Sequence, residues 1–163
     1  MRRAPALLAL VLLAGCSAPG PIGPAGFGEG SVTRVVDGDT IRVMTGGREE
    51  KVRYIGVDTP ESVKPNSPVE CFGKAATAAN SRLVRGERVR LEMDVEARDR
   101  YGRLLAYVYR ARDGVFVNAE LVRQGYATRL TIPPNVRHAA RFGRLEREAR
   151  EGARGLWGSC ESR

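Results

Sequence analysis

Short β-branched runs broken by glycine turns fill the middle of this chain, and they restrict it to a small, strongly curved sheet. "SVTRVVD" (Ser31 to Asp37) and "TIRVM" (Thr40 to Met44) flank "DGD", which reads as a tight turn with Gly38 supplying an unusual backbone angle. "TGGR" (Thr45 to Arg48) turns again into a strand running from Lys51 to Val57. "ERVRLEMDV" (Glu87 to Val95) alternates, with Val89, Leu91 and Met93 on one face, so one side of that strand is buried. "LLAYVYR" (Leu104 to Arg110) returns beside it after the charged turn "RDRYGR".

Helices interrupt and follow these strands. Alanines and Leu83 recur at helical spacing from Cys71 to Val84, closed by Gly86. Asn118 reads as the cap of a short helix through Gln124, with Gly125 at its end. A last helix begins near Val136, with Phe142, Leu145 and Ala149 as its apolar stripe and Glu146 with Arg150 as an exposed pair. Between Asp58 and Pro68, three prolines require a loop. Five strands and three helices predict an α+β domain built on a small closed sheet, for which the five-stranded OB-fold barrel is the obvious candidate. Periodicity alone does not separate it from other small barrels.

The first thirty residues read differently. Arg2 and Arg3, an apolar run from Ala6 to Ala14 and "LAGC" ending at Cys16 form a signal peptide over residues 1–15, with Cys16 as the site of lipidation. Ordinary cleavage nearby, after Ala18, would instead release a secreted protein. Residues 16–30 are rich in Gly and Pro and read as a tether, spanning about 20 Å as a flexible coil. The folded domain is therefore expected over 31–160. The chain is expected to be exported and lipid-anchored at the cell membrane or envelope, touching the membrane through that anchor only. With Cys16 lipidated, Cys71 and Cys160 remain, and an exported chain makes them a disulfide pair rather than two buried thiols.

Formal charge is +8 over the whole chain and +6 once Arg2 and Arg3 are removed. Such a surplus favours polyanionic partners without choosing among nucleic acid, anionic lipid and acidic polysaccharide. Charged residues also gather beside turns at strand ends, in "DGDT" (Asp37 to Thr40), "RYIGVDTPE" (Arg53 to Glu61) and "DRYGR" (Asp99 to Arg103). If a barrel brings these together, Asp39 and Asp58 supply hard oxygen ligands and a carbonyl near Thr59 adds another, a set suited to Ca²⁺. Arg53 and Arg103 match a phosphodiester in charge and geometry, and Glu61 is placed to orient or deprotonate a water. Each cluster alone is an ordinary turn; "DGDT" in particular lacks the later positions of an EF-hand.

Taken together, "VVDGDTIRV", "VRYIGVDTPE", "DRYGRLLAYVY", "VNAELVRQGYA" and "GLWG" closely resemble the staphylococcal nuclease family, in order and spacing, from Ser31 to Gly158. The resemblance implies an OB-fold barrel with three helices and a monomeric, Ca²⁺-dependent endonuclease acting on DNA and RNA to leave 3′-phosphate ends. By position it makes Asp39 and Asp58 the carboxylate calcium ligands and Thr59 the carbonyl ligand, with Asp37 just behind them. Arg53 and Arg103 become the phosphate-binding arginines and Glu61 the general base.

One region departs from the family. Leu130 and Ile132 stand where the family often has two nucleotide-contacting tyrosines, which bears on affinity more than on chemistry. Other conspicuous residues receive plainer readings. His138 is expected at the surface, Trp157 packing the last helix onto the barrel, and Tyr101 either packing or touching substrate. Arg137, Arg141 and Arg144 form a basic helix face that is solvated or tracks a nucleic-acid backbone. The rival to the enzyme is a catalytically silent OB-fold module binding nucleic acid or protein; a surface protein holding envelope polymers is a third reading. Both leave the full acidic and basic set unexplained.

Overall fold

The computed structural model describes residues 27–62 and 69–160. The expected signal peptide, Cys16 and most of the expected tether lie outside the described residues. Seven strands and four helices follow one another as β1 (Phe27–Val35), β2 (Thr40–Thr45), β3 (Arg48–Tyr54), β4 (Val57–Asp58), α1 (Gly73–Val84), β5 (Arg88–Glu92), β6 (Leu104–Arg110), α2 (Val117–Arg123), β7 (Thr128–Arg129), α3 (Ala139–Glu151) and α4 (Leu156–Ser159). Five of the strands close into a barrel in the order β1-β2-β3-β6-β5, and β4 pairs with β7 beside it. The α+β class and the five-stranded OB-fold barrel with three helices are as expected, with α4 an additional single turn.

β1 explains how so short a sheet closes. Its first half pairs with β5 (Gly28 opposite Leu91, Gly30 opposite Val89) and its second half with β2 (Val32 opposite Val43, Val35 opposite Ile41). The register shifts between Val32 and Arg34, so the strand bends from one neighbour to the other. The strand therefore begins at Phe27, four residues inside the stretch read as tether. Gly30 is a structural requirement there, because a Cβ would stand 2.4 Å from Val43 Cγ1 and 2.6 Å from the Met44 carbonyl. Glycine in a strand marks such an approach as readily as it marks a linker.

Inside the barrel, Ile41, Val43, Val52, Val89, Leu91, Ala106 and Val108 are buried, each from an inward position of its strand. β3 and β6 run parallel, Val52 opposite Leu104, which is the one parallel seam in the barrel. α1 buries Ala76, Ala79 and Val84, and α2 buries Val117, Ala119, Leu121 and Val122. Two sequence expectations change here. Asn118 does not cap α2; fully buried, it accepts the Val108 N–H at 2.9 Å and donates to the Ile55 carbonyl at 2.9 Å, tying the helix to β6 and to the residue that follows β3. Glu146 is buried rather than exposed, accepting the Arg129 N–H at 3.1 Å and pairing with the Arg129 guanidinium at 3.2 Å. A helical i,i+4 spacing to Arg150 looks like a surface pair, yet the separation is 3.9 Å and the carboxylate serves β7 instead.

His138 precedes α3 half-buried, edge-on to Tyr107 with ring centroids 4.5 Å apart, in a cluster with Phe116 and Phe142. Trp157 lies under the Arg150 guanidinium of α3 at 4.0 Å. Cys71 and Cys160 are joined as a disulfide, linking the start of α1 to the residue after α4.

Candidate active site

The β1–β2 turn carries Asp37, Gly38 and Asp39, and pairing of Thr40 with Arg53 sets Asp39 beside β3. The Tyr54 N–H donates to the Asp39 carbonyl at 2.9 Å, which fixes the turn against the strand. Gly38 does not take a positive φ, contrary to the expectation from sequence. Its need is for space: a Cβ would meet Thr59 Oγ1 at 2.5 Å and Thr59 Cβ at 2.7 Å. The chain after β3 turns at Gly56 (φ +80°), passes through β4 and brings Asp58 and Thr59 back over that bare turn.

This close approach lets three segments share one carboxylate. Asp39 Oδ2 accepts the Thr59 N–H and the Thr59 hydroxyl, each at 2.9 Å, and pairs with Arg53 Nη1 at 2.8 Å. Asp39 Oδ1 accepts the Thr40 hydroxyl at 3.1 Å. The Arg53 guanidinium is itself shared: Nη1 donates to the Val57 carbonyl at 2.9 Å and Nη2 pairs with Asp58 Oδ1 at 2.7 Å. Arg53 and Asp39 are nearly buried, whereas the Asp58 side chain is 54 % exposed. Asp37 stands behind, accepting the Asp39 N–H on Oδ1 at 3.1 Å while its carbonyl accepts the Asn80 side-chain amide at 2.9 Å.

Three carboxylates thus crowd one guanidinium. Burial, and then the neighbouring Asp39 charge, push the Asp37 carboxyl up to about 6. Burial also raises Asp58 above the usual carboxylate range against the opposing pull of Arg53. Among the described residues no three acidic, histidine or cysteine side chains form a ready metal cage. Asp39 and Asp58 nonetheless offer hard oxygens in a crowded anionic setting. That donor set fits a hard divalent cation with water completing its shell, as Ca²⁺ accepts.

A cleft of about 460 Å³ opens from this centre. Arg53 and Arg103 both line it, so the structure brings the two expected phosphate-binding guanidiniums to one cavity. Arg103 Nε donates to Asp99 Oδ2 at 2.6 Å, and the N–H groups of Tyr101 and Arg103 donate to Asp99 Oδ1 at 2.9 and 3.0 Å. Burial disfavours the Asp99 charge, but these bonds outweigh it and hold the carboxyl below its usual range. Asp99 was not singled out from sequence; the signal was its position four residues before Arg103 in a turn whose backbone it can cap. Tyr101 is 68 % exposed with the Arg103 guanidinium 5.5 Å from its ring centroid, so it faces solvent at the cleft rim and not the core. Leu130 and Ile132 line the opposite wall, held by the Leu130 N–H on the Gly56 carbonyl at 3.0 Å and by Asn135, which clamps Glu96 through two backbone bonds of 2.8 and 2.9 Å.

Glu61 lies three residues beyond Asp58, in a loop bonded to Glu70 and Ser62. Its carbonyl accepts the Glu70 N–H at 2.9 Å and its N–H donates to Glu70 Oε2 at 3.0 Å. Its own carboxylate accepts the Ser62 N–H at 2.9 Å. Gly73 makes room for this loop, since a Cβ there would stand 2.5 Å from the Glu61 carbonyl oxygen.

The family described as staphylococcal nuclease homologue matches residues 51–159. The chain is 44 % identical over 126 residues to a thermonuclease of Staphylococcus intermedius, covering 77 % of this chain and 74 % of that protein. It is 38 % identical over 143 residues to a thermonuclease of Staphylococcus hyicus, covering 85 % and 83 %. It is also 41 % identical over 129 residues to the endonuclease YncB of Bacillus subtilis, covering 78 % of this chain and 60 % of that one. With a closed five-stranded barrel, a carboxylate–guanidinium centre at its mouth and relatives matched over three quarters of its length, this chain belongs to the staphylococcal nuclease family.

Proposed function

We propose that this protein is a calcium-dependent endonuclease that hydrolyses phosphodiester bonds of DNA and RNA and leaves 3′-phosphate ends. Family membership and the thermonuclease and endonuclease relatives support a nuclease, a hydrolase of phosphodiesters with nucleic acid as substrate. The single observation that carries the site assignment is the Arg53 guanidinium held between Asp39 and Asp58 at 2.8 and 2.7 Å at the mouth of a cleft that Arg103 also lines.

Asp39, Asp58 and the Thr59 carbonyl would hold the cation, which supplies positive charge to a phosphoryl oxygen. Arg53, already aimed by the Val57 carbonyl, would give one edge of its guanidinium to the phosphate. Arg103, held through Nε by Asp99, leaves its terminal nitrogens for the other phosphate oxygens. Two fixed guanidiniums in a cleft stabilise the added charge of a five-coordinate phosphorus without reorganising at the moment of reaction. Glu61, whose carboxylate accepts the Ser62 N–H, would orient or deprotonate the attacking water.

We also propose that the chain is exported and lipid-anchored through Cys16, acting as a monomer outside the cytoplasm. The Cys71–Cys160 bridge supports an oxidising compartment. The test of the activity is cleavage of single-stranded DNA by the purified protein with Ca²⁺, with Mg²⁺ and with chelator. Cutting that requires Ca²⁺ and leaves 3′-phosphates is expected, and no cutting in any metal would overturn the reading. Glu61→Gln, which keeps the Ser62 contact, is expected to lower kcat about 100-fold or more with unchanged thermal unfolding; full activity would remove Glu61 from the mechanism.

A further inference from the structure

Many cations outside the cleft are neutralised where they stand: Arg42, Arg88, Arg110, Arg123 and Arg137 each pair with a carboxylate. The exposed face of α1 is different. Lys74, Ala78, Arg82 and Arg85 recur at steps of four, four and three, so they share one side of the helix. They form, with the hydroxyl residues Ser62, Thr77 and Ser81, a shallow groove of about 620 Å³ that no carboxylate among the described residues lines. Among the described residues none of the three cations has a carboxylate partner; Arg82 reaches only the Tyr126 hydroxyl, at 3.4 Å. Arg85 also lines a second groove with Arg34, again without an acid, so the positive surface continues past the end of the helix.

Helix electrostatics explain part of this placement and not the rest. Arg82 and Arg85 stand at the C-terminal end of α1, where the helix dipole favours positive charge. Lys74 stands in the first turn, where the same dipole opposes it and no acidic residue compensates. A row of cations that includes a disfavoured one is better explained by an anionic occupant. The row also begins beside the loop that carries Glu61. Ser62, at the near end of the groove, donates its N–H to the Glu61 carboxylate, and its hydroxyl is 2.8 Å from that of Thr77 on α1.

We propose that the α1 face binds the backbone of a single polynucleotide strand as it leaves the cleft, with Lys74, Arg82 and Arg85 as successive phosphate subsites. This rests on the nuclease reading. From Lys74 to Arg85 the helix rises roughly 16 Å, a length that serves a polymer and is irrelevant to a dinucleotide. The single helix face follows one row of phosphates, so the occupant is one strand and not a duplex.

The test compares two charge-matched variants, Lys74→Gln/Arg82→Gln/Arg85→Gln on α1 and Arg141→Gln/Arg144→Gln/Arg147→Gln on α3. Each is assayed on a dinucleotide and on a long thymidylate strand across a salt series. Three lost phosphate contacts on a single strand should lower the slope of log KM against log salt by about 2. This is expected for the α1 variant on the long strand only, with the dinucleotide reaction changed less than about twofold and the α3 variant close to the parent. A parental slope in the α1 variant, or equal losses in both variants, would overturn the groove. If the parent cuts neither substrate, the nuclease reading fails separately. Anisotropy of a labelled thymidylate strand then decides the groove by the same contrast in salt slope.

Discussion

The two arginines of the cleft are built in opposite ways. Arg53 is nearly buried and held by three protein groups, one from the β1–β2 turn and two from β4, with Asp39 and Asp58 gripping it from either side. Arg103 sits on a hairpin tip, held by one carboxylate, with an exposed tyrosine beside it and aliphatic residues across the gap. The first arrangement is over-determined, so it fixes where charge stands; the second is adjustable, so it governs how a substrate is gripped. Changes on the Arg53 side should therefore damage stability and turnover together, while changes on the Arg103 side should separate them.

Arg53→Ala should give the largest effect. It removes a phosphate contact and leaves Asp39 with its hydroxyl and amide donors but no cation. Turnover should fall by about 10³-fold or more, and stability without divalent cations by about 2–3 kcal/mol, the cost of leaving a buried carboxylate unpaired after allowing for the exposed Asp58. Denaturant unfolding with and without Ca²⁺ checks this, with calcium restoring part of the loss. A variant as stable as the parent in chelator would show that the pair is not what holds the turn.

Asp99→Asn addresses the other arginine. The side-chain oxygen can still accept the Tyr101 and Arg103 N–H groups, so the hairpin tip should hold, but the amide nitrogen cannot accept from Arg103 Nε. A guanidinium no longer fixed in direction should lower kcat about tenfold or more, with KM and thermal unfolding nearly unchanged. A KM effect with unchanged kcat would assign Arg103 to binding alone.

The same contrast decides what the sequence could show. The over-determined half is written locally, because "DGDT" and "RYIGVDTPE" each bring their charges within a few residues of a strand end. Their meeting needed only the hairpin pairing of Thr40 with Arg53. β2 and β6 were legible from clean runs between turn residues. What was hidden depends on contacts distant in sequence. Gly28 and Gly30 looked like linker because nothing local shows that β5 and β2 press on both edges of that strand. Asn118 looked like a cap and Glu146 like a surface residue because both side chains serve backbone groups on other elements. Gly38 was correctly marked as a required glycine, but for torsion and not for the passage of Thr59. Asp99 escaped because a carboxylate in a charged turn has no pattern of its own.

Gly38→Ala sharpens the comparison from the backbone side. A methyl group directed at Thr59 must displace the loop that carries Asp58 and Thr59, with no change in any charge. Stability should fall by about 1–3 kcal/mol, as for overpacking elsewhere, and activity should fall with it because both N–H and hydroxyl bonds to Asp39 lengthen. Urea unfolding and the calcium dependence of cleavage measure the two effects, and an unaltered calcium midpoint would separate loop position from metal binding.

Ile132→Tyr should have the smallest effect and the opposite sign. Ile132 is 60 % exposed on the wall facing Tyr101, where an aliphatic side chain offers a base little to stack on. A tyrosine there adds an aromatic face at an open site and disturbs no buried contact, so stability should stay within about 0.5 kcal/mol. One stacked base is worth roughly 1–3 kcal/mol at a well-formed site. The lower end applies on a rim, so KM for single-stranded DNA should fall about fivefold to tenfold while kcat is unchanged. The gain should persist at high salt, since stacking, unlike the phosphate contacts of Arg53 and Arg103, releases no counterions. A change in kcat would mean that this wall positions the scissile phosphate as well as the base, and the division between a fixed chemical half and an adjustable gripping half would not hold.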